Sequence, residues 1–389
     1  MKKIVGNSQY QKVANALLIL QLLRKGPKAR VAIAKELGLQ PSTVTYNINR
    51  LQEAGLVREC SVAALKIEPV SLGRRAVALE LNRDFGRVIG LELLADSIWA
   101  SLIDPVGSVV FSEQIEFPLL NTADAKQRFE ELVQTVVAQL VGLCAGIPVL
   151  GVGIALPGIV ETNGQVVRDC WTHQLKDCDF SAFFAETFPF PVVLENDANC
   201  CVQRYLYEGA AERQDNFLYL LARTYPSGHV PSGVSPFGIG LGLVFGGRLY
   251  RGSDSRSGEF ISALMNRSEQ GRQLAAGCKR KEDLEHDAAI RTAILDELVG
   301  NLRSIASVLD PQIIYLGGFL TDYCTEVQPL LSSDLAGKVV FANAHNDASE
   351  GAAVNLLSLF FRIPQVGDTS NQGWRYSTVL RSVLEKESL

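Results

Sequence analysis

The chain has only four histidines and two methionines in 389 residues, and its eight cysteines form no Cys-x-x-Cys pair. His173, His229, His286 and His345 are scattered, with no His-x-x-x-His spacing, so the sequence offers no metal-ligand pattern. Adjacent Cys200 and Cys201 suit no even disulfide framework. Without an export signal behind Met1-Lys2-Lys3-Ile4, the cysteines read as reduced, buried thiols of a cytoplasmic protein. A long uninterrupted hydrophobic run is also missing. Val141–Val160 has no charge, but five glycines and two prolines break it, which excludes a lipid-spanning helix and predicts a buried strand between loops.

What is present is apolar bulk and a lopsided charge. With 47% hydrophobic and 20% charged residues, the chain can bury large cores, and its length suits two or three domains. The net charge of −5 argues against a protein that coats nucleic acid over its whole surface. Residues 1–83, however, hold 14 Lys and Arg against 5 Asp and Glu, a net +9. The other 306 residues hold 23 against 37, a net −14. A basic module that meets a polyanion, joined to an acidic body with another task, explains that split.

Within the basic module, Val13, Leu17, Leu20 and Leu23 recur at helical spacing. Val31–Leu37 predicts a second helix closed by Gly38, and Pro41 opens a third that runs through Ala54. Two helices about a glycine turn form a helix-turn-helix, whose second member lies in the major groove. Its exposed face would present Ser42, Thr43, Thr45, Tyr46, Asn49 and Arg50 to bases and phosphates. Leu56-Val57-Arg58 and Ala76–Leu81 predict the strands of a β-wing, and Gly73-Arg74-Arg75 beside them would press into a narrow minor groove. The plain alternative is a structural three-helix module with a solvated basic surface.

These residues carry a resemblance. Ile33-Ala34-Lys35-Glu36-Leu37-Gly38-Leu39-Gln40-Pro41-Ser42-Thr43-Val44-Thr45, Leu51-Gln52-Glu53-Ala54-Gly55-Leu56-Val57 and Gly73-Arg74-Arg75 resemble the winged helix-turn-helix of ROK-family transcriptional regulators. The family usually has Ser where Ala29 and Gln40 stand, and both are poor helix caps, costing roughly 1 kcal/mol each.

The body supports the same reading. Strand patterns at Val88–Leu94, Ser97–Ile103 and Val109–Phe117, a helical pattern at Asp124–Leu143 and a strand at Val149–Ala155 match half of an actin-like, sugar-kinase-like fold. A second half runs from Phe217 through the hairpin Gly238–Tyr250, a helix at Ala288–Leu309 and the strand Ile313–Leu316. Gly153–Val160, Leu194–Asn199, Gly238–Gly242, Gly246–Gly252, Ser257-Gly258-Glu259, Leu316-Gly317-Gly318 and Glu350–Ala353 resemble the motifs of ROK sugar kinases and repressors, in the family's order. The expected α/β architecture is therefore a winged helix-turn-helix (1–83), a two-lobed actin-like ROK domain (84–364) and a C-terminal tail (365–389).

The resemblance implies that Asn196 and Asp197 contact a sugar, with Asp197 where kinases keep their general base, and that Glu259 accepts from a further hydroxyl. Read without it, Asn-Asp after a strand is an Asx turn that needs no ligand. The kinase Asp-x-Gly-Gly-Thr loop is replaced by Glu92-Leu93-Leu94-Ala95-Asp96, whose leucines are expected to fill the phosphate space and whose Asp96 would repel the anion. The second phosphate loop gives way to a longer insertion, Thr224–Phe237. Ser262 stands where the family keeps a sugar-contacting, zinc-binding histidine, and only Cys278 follows in place of three cysteines, so no zinc and no cofactor are expected.

The sequence thus predicts a non-enzymatic, cytoplasmic, DNA-binding regulator of carbohydrate genes, most simply a repressor. Its partners would be duplex DNA, a sugar or sugar-phosphate effector, and further copies of itself in a homodimer or homotetramer, with no membrane. A fused, active sugar kinase is one rival. A regulator governed by a protein partner, without a small ligand, is another.

Overall fold

The computed structural model describes residues 8–61, 77–117, 123–208, 215–226, 236–265, 272–276, 280–342 and 345–363. In the basic module α1 (Ser8–Arg24) buries Val13, Ala16, Leu17, Leu20 and Leu23, the stripe its periodicity requires. Each fully buried leucine contributes about 1.5–3 kcal/mol. A two-residue strand β1 (Lys28–Ala29) precedes α2 (Arg30–Leu37) and α3 (Pro41–Glu53). Gly38 stands between those helices at φ 64°, and its N–H bonds the Ala34 carbonyl to close α2. Neither Ala29 nor Gln40 caps its helix through a side chain, as their chemistry dictates. Strands β2 (Val57–Cys60) and β3 (Ala78–Leu81) pair antiparallel, and β1 completes the sheet in the order β1-β3-β2. The returning strand is shorter than its alternation predicts: Val77 is exposed before β3 begins. Gly73, Arg74, Arg75 and Ala76 lie outside the described residues.

The first lobe comprises β4 (Arg87–Leu93), β5 (Ser97–Ile103), β6 (Val109–Glu116), α4 (Ala125–Leu143), β7 (Val149–Leu156), β8 (Ile159–Val160), β9 (Val166–Cys170), β10 (Leu175–Asp179), α5 (Ser181–Thr187) and β11 (Val192–Asn196). Its main sheet has the order β11-β7-β4-β5-β6, with β7 parallel to both neighbours and β4-β5-β6 an antiparallel meander. The charge-free stretch from Val141 is mixed. Its first three residues finish α4, and its remainder turns at Gly146 (φ 83°) into β7 and β8.

After α6 (Asp197–Glu208) the second lobe follows: β12 (Phe217–Thr224), β13 (Phe237–Phe245), β14 (Arg248–Leu249), α7 (Lys281–His286), α8 (Ala288–Leu309), β15 (Ile313–Gly318), α9 (Phe319–Asp322), α10 (Cys324–Val327), α11 (Ser333–Ala336) and β16 (Val339–Phe341). Its sheet runs β14-β13-β12-β15-β16. The chain returns as α12 (Asp347–Phe360), which packs across β4, β5 and β7 of the first lobe and against α6.

Two glycines show why the ordered motifs read as they do. A Cβ on Gly351 of α12 would sit 1.8 Å from the Cys200 carbonyl oxygen of α6, and one on Gly242 of β13 would sit 2.1 Å from Val202 and 2.5 Å from the Ala198 carbonyl oxygen. Both let α6 reach backbone contact with its neighbours. The basic module is not walled off from the body: Leu17, Leu20, Leu56 and Leu79 share one apolar core with Val88, Ile103, Val354, Phe360 and Phe361.

Candidate DNA face and ligand cavity

The outward face of α3 is polar. Ser42, Thr45, Tyr46 and Asn49 are exposed, Thr43 and Arg50 are half-buried, and Val44, Asn47, Ile48 and Leu51 turn into the core. The Thr45 hydroxyl donates to the Pro41 carbonyl at 2.9 Å. Two cations flank the Tyr46 ring, Lys12 of α1 at 5.5 Å and Arg50 at 5.6 Å from its centroid. Arg30 at the head of α2 donates to Asn49 at 3.2 Å and to Gln52 at 3.0 Å. Lys12 and Arg30 were not among the sequence-derived candidates, because spacing along one helix does not say which cation a neighbouring helix presents.

Between the lobes lies a cavity of about 500 Å³, lined by Asn196, Asp197 and Glu259 among others. The three residues marked in the sequence are thus brought to one space. Asn196 ends β11, in register with Leu156 of β7, and donates to the Gly158 carbonyl at 3.1 Å while its own carbonyl accepts from the Asn199 N–H at 3.0 Å. The Asx-type contact and the cavity wall are therefore the same residue. Asp197 opens α6 and accepts from the Ala198 N–H at 2.8 Å. Its carboxyl is raised to about 7, chiefly by burial and then by the Glu92 charge, with Arg223 opposing. Glu259, bridged through its backbone to Gly240, is also raised, first by burial and then by Asp197.

Other lining groups escaped the sequence reading. Trp171 and Tyr225 meet edge to face at 4.7 Å, and Asp169, Arg256 and Gln273 add polar atoms. Gln273 is fixed by a reciprocal pair with the Ile239 backbone, both bonds at 2.7 Å. Tyr225 belongs to the Thr224–Phe237 insertion, whose residues 227–235 lie outside the described residues. The insertion that was expected to replace the second phosphate loop thus supplies an aromatic wall of the cavity.

The other phosphate segment departs from what the sequence predicts. Leu93 does not fill the phosphate space: it is fully buried in the first lobe's core, and its carbonyl lies 3.1 Å from His173 Nε2. Leu94 is half-buried and Asp96 is exposed at the hairpin turn. The group that reaches across is Glu92, which forms a buried ion pair with Arg223 of β12 in the second lobe. Ser262, at the family's histidine position, is buried and accepts from Asn301 at 3.0 Å, and Cys278 lies outside the described residues. Among the described residues no three His, Cys, Asp or Glu side chains are grouped as metal ligands.

Comparison with known proteins completes the picture. The ROK family model matches residues 88–294, just over half of the chain, and a helix-turn-helix domain model matches residues 15–60.

The chain belongs to the ROK family.

It is 28% identical over 252 residues to a xylose repressor of Bacillus spizizenii, covering 64% of this chain and 59% of that one. It is 23% identical over 302 residues to the DNA-binding transcriptional dual regulator NagC of Escherichia coli, covering 76% and 68%. The chain therefore matches about three-fifths of the length of the xylose repressors of Bacillus spizizenii and Bacillus subtilis. Among solved structures, a ROK family transcriptional regulator homologous to E. coli MLC superposes over 97% of this chain and 100% of its own, with a TM-score of 0.67 at 17% identity. A ROK family glucokinase from Streptomyces griseus, in complex with glucose and AMPPNP, covers 69% of this chain and 98% of its own, with a TM-score of 0.50 at 20% identity. This chain has the fold of that regulator, a helix-turn-helix followed by a sugar-kinase-like body, and shares part of it with the glucokinase.

Proposed function

We propose that this ROK protein is a DNA-binding transcriptional repressor of carbohydrate genes whose kinase-like body senses a sugar or sugar derivative. The observation that carries the reading is the pairing, in one chain, of an exposed polar α3 face with an interlobe cavity where Asn196, Asp197 and Glu259 converge. Carboxylates and an amide beside an aromatic wall suit a polyhydroxylated ligand. The repressor names of its relatives support the same assignment. The DNA-binding part ends near residue 83, and Gly73, Arg74 and Arg75 extend its interface into the minor groove. A dimer or tetramer presents two such modules to a palindrome about one helical turn between half-sites. No helix among the described residues is long and apolar enough to cross a membrane, and the cytoplasm is the proposed compartment.

A second reading, an active sugar kinase, draws on Asp197, whose raised pKa in the cavity suits a general base. The Glu92–Arg223 pair weighs against it, since a buried ion pair between the lobes occupies the segment where the kinase loop meets phosphate. Two experiments test the proposal. Selection of bound duplexes from a random library should yield a palindrome, and Arg74→Ala with Arg75→Ala should weaken binding and flatten its salt dependence. Calorimetry with D-xylose, N-acetylglucosamine, glucose and their phosphate esters should give heat that vanishes in Asp197→Ala. Silence from the whole panel would favour control by a protein partner, and ATP-dependent phosphorylation of any of these sugars would favour the kinase.

A further inference from the structure

The cavity and the DNA-binding module touch opposite ends of one helix. α6 begins at Asp197 in the cavity wall and carries Tyr207 in its last turn. The Tyr207 hydroxyl accepts from Arg24 Nε at 3.2 Å and donates to the Val106 carbonyl, and the Arg24 guanidinium lies 4.3 Å from the ring centroid. Arg24 is the final residue of α1. It also lies 5.0 Å from the Phe361 ring, just past α12, while Gln21 donates to the Phe361 carbonyl at 2.9 Å. The end of α1 therefore rests on α12 through an apolar core and on α6 through one tyrosine.

The middle of α6 is pinned. Backbone contact at Gly351 holds Cys200, and Arg204 is paired with Asp347 and, at 2.9 Å, with Glu350 of α12. At 1.5 Å per residue, Cys200 is about 5 Å along the axis from Asp197 and about 10 Å from Tyr207. A tilt about that contact moves the Tyr207 end roughly twice as far as the cavity end. Close-packed helices answer a push by such rigid displacements, because they have no slack to absorb it.

We propose that Arg24 and Tyr207 are positioning residues for the DNA-binding module: α6, pivoting at Gly351, converts occupancy of the cavity at Asp197 into displacement of α1. The idea rests on the proposed sugar-sensing repressor but has a test of its own. Coupling is reciprocal, so releasing α1 must be felt at the cavity. In the ligand-free full chain, Arg24→Ala should speed hydrogen exchange of the Cys201 and Val202 amides several-fold and leave α4 unchanged. Exchange that rises only around Arg24 and Tyr207 would overturn the pivot. Tyr207→Phe keeps the ring under Arg24 and drops both hydroxyl bonds, so it should show a smaller rise at the same amides. If Arg24→Ala also speeds exchange in α4, this milder variant decides, and no rise at Cys201 and Val202 counts against the pivot.

A second arm uses the selected duplex and whichever sugar of the panel gives heat. The ratio of DNA affinities without and with sugar should fall at least fivefold toward unity in Arg24→Ala and partly recover in Tyr207→Phe. A purely structural contact would lower thermal stability yet keep that ratio, which would also overturn the proposal. If no sugar binds the wild type, the sensing assignment fails, and the exchange experiment still decides the pivot.

Discussion

Arg223 of β12 and Glu92 of β4 form an ion pair that ties the two lobes together out of reach of water. Glu92 is fully buried and Arg223 nearly so, while Glu92 Oε2 and Arg223 Nε have no hydrogen-bond partner among the described residues. Two desolvated charges, incompletely satisfied, stabilise each other mainly by not being alone. Glu92→Leu or Arg223→Met should therefore cost about 3–5 kcal/mol, because each leaves one buried charge uncompensated. The double change Glu92→Leu with Arg223→Met should recover most of that loss. Urea unfolding of the four proteins gives the coupling energy, and strictly additive losses would mean that the pair does not hold the lobes.

A second expectation concerns acid. His173 is buried between Phe117, stacked at 6.2 Å, and Phe129, edge-on at 6.0 Å. With Nε2 3.1 Å from the Leu93 carbonyl, the neutral ring donates that bond. Burial holds its pKa down at about 4 against 6.5 in the unfolded chain. Between those values the unfolded chain binds a proton that the native protein refuses, so stability falls as pH drops through the window, by roughly 3 kcal/mol in all. Above pH 6.5 this contribution is fully present. In His173→Phe the slope between pH 6.5 and 4 should flatten by about one proton, as followed by denaturant titration at several pH values. An undiminished slope would place the acid sensitivity elsewhere.

Asp197 works with the opposite sign. Its folded pKa of about 7 lies above 3.8, so the native state holds a proton that the unfolded chain has released between those values. Stability then declines as pH rises from 4 to 7, and the penalty is complete above 7. Asp197→Asn keeps an acceptor for the Ala198 N–H and carries no charge. Its stability relative to wild type should rise between pH 5 and pH 8 by a few kcal/mol. A constant difference across that range would show that Asp197 ionises without resistance.

How much of this the chain's order of residues disclosed depends on what each feature needs. The helices of the basic module and the strands β4 to β7, β12, β13 and β15 were legible, because Val13, Leu17, Leu20 and Leu23, or the apolar run from Val88, mark them by local pattern, whereas β9, β10 and β16 carry no such signal. Asn196, Asp197 and Glu259 line one cavity, since the strand and helix ends that carry them are fixed by the fold. Leu93 was misread for a simple reason: neighbours on a strand face opposite ways. Glu92 turns toward the second lobe and Leu93 therefore enters the first lobe's core, while Leu94 lies half-buried past the end of the strand, so the two leucines do not share one space. Trp171, Tyr225 and Gln273 were missed because they reach the cavity from separate turns and loops, through contacts that no local pattern encodes.

The DNA face allows a last expectation, which separates charge from base reading. Lys12 belongs to α1, outside the helix whose first turns would meet base edges, yet the Tyr46 ring brings it to the same surface as Arg50. An ammonium group there can meet phosphate, which is common to every sequence, and carries little information about bases. Lys12→Ala should then weaken binding to a selected operator and to an arbitrary 30-base-pair duplex (a length of about three helical turns) by the same factor, and reduce the salt slope by about one. Asn49→Ala, by contrast, should weaken the operator far more than the arbitrary duplex, because an amide reads a base edge. Fluorescence anisotropy across a salt series distinguishes the two. Were Lys12→Ala to lower only operator affinity, with the salt slope unchanged, α1 would have to be counted as part of the base-reading surface.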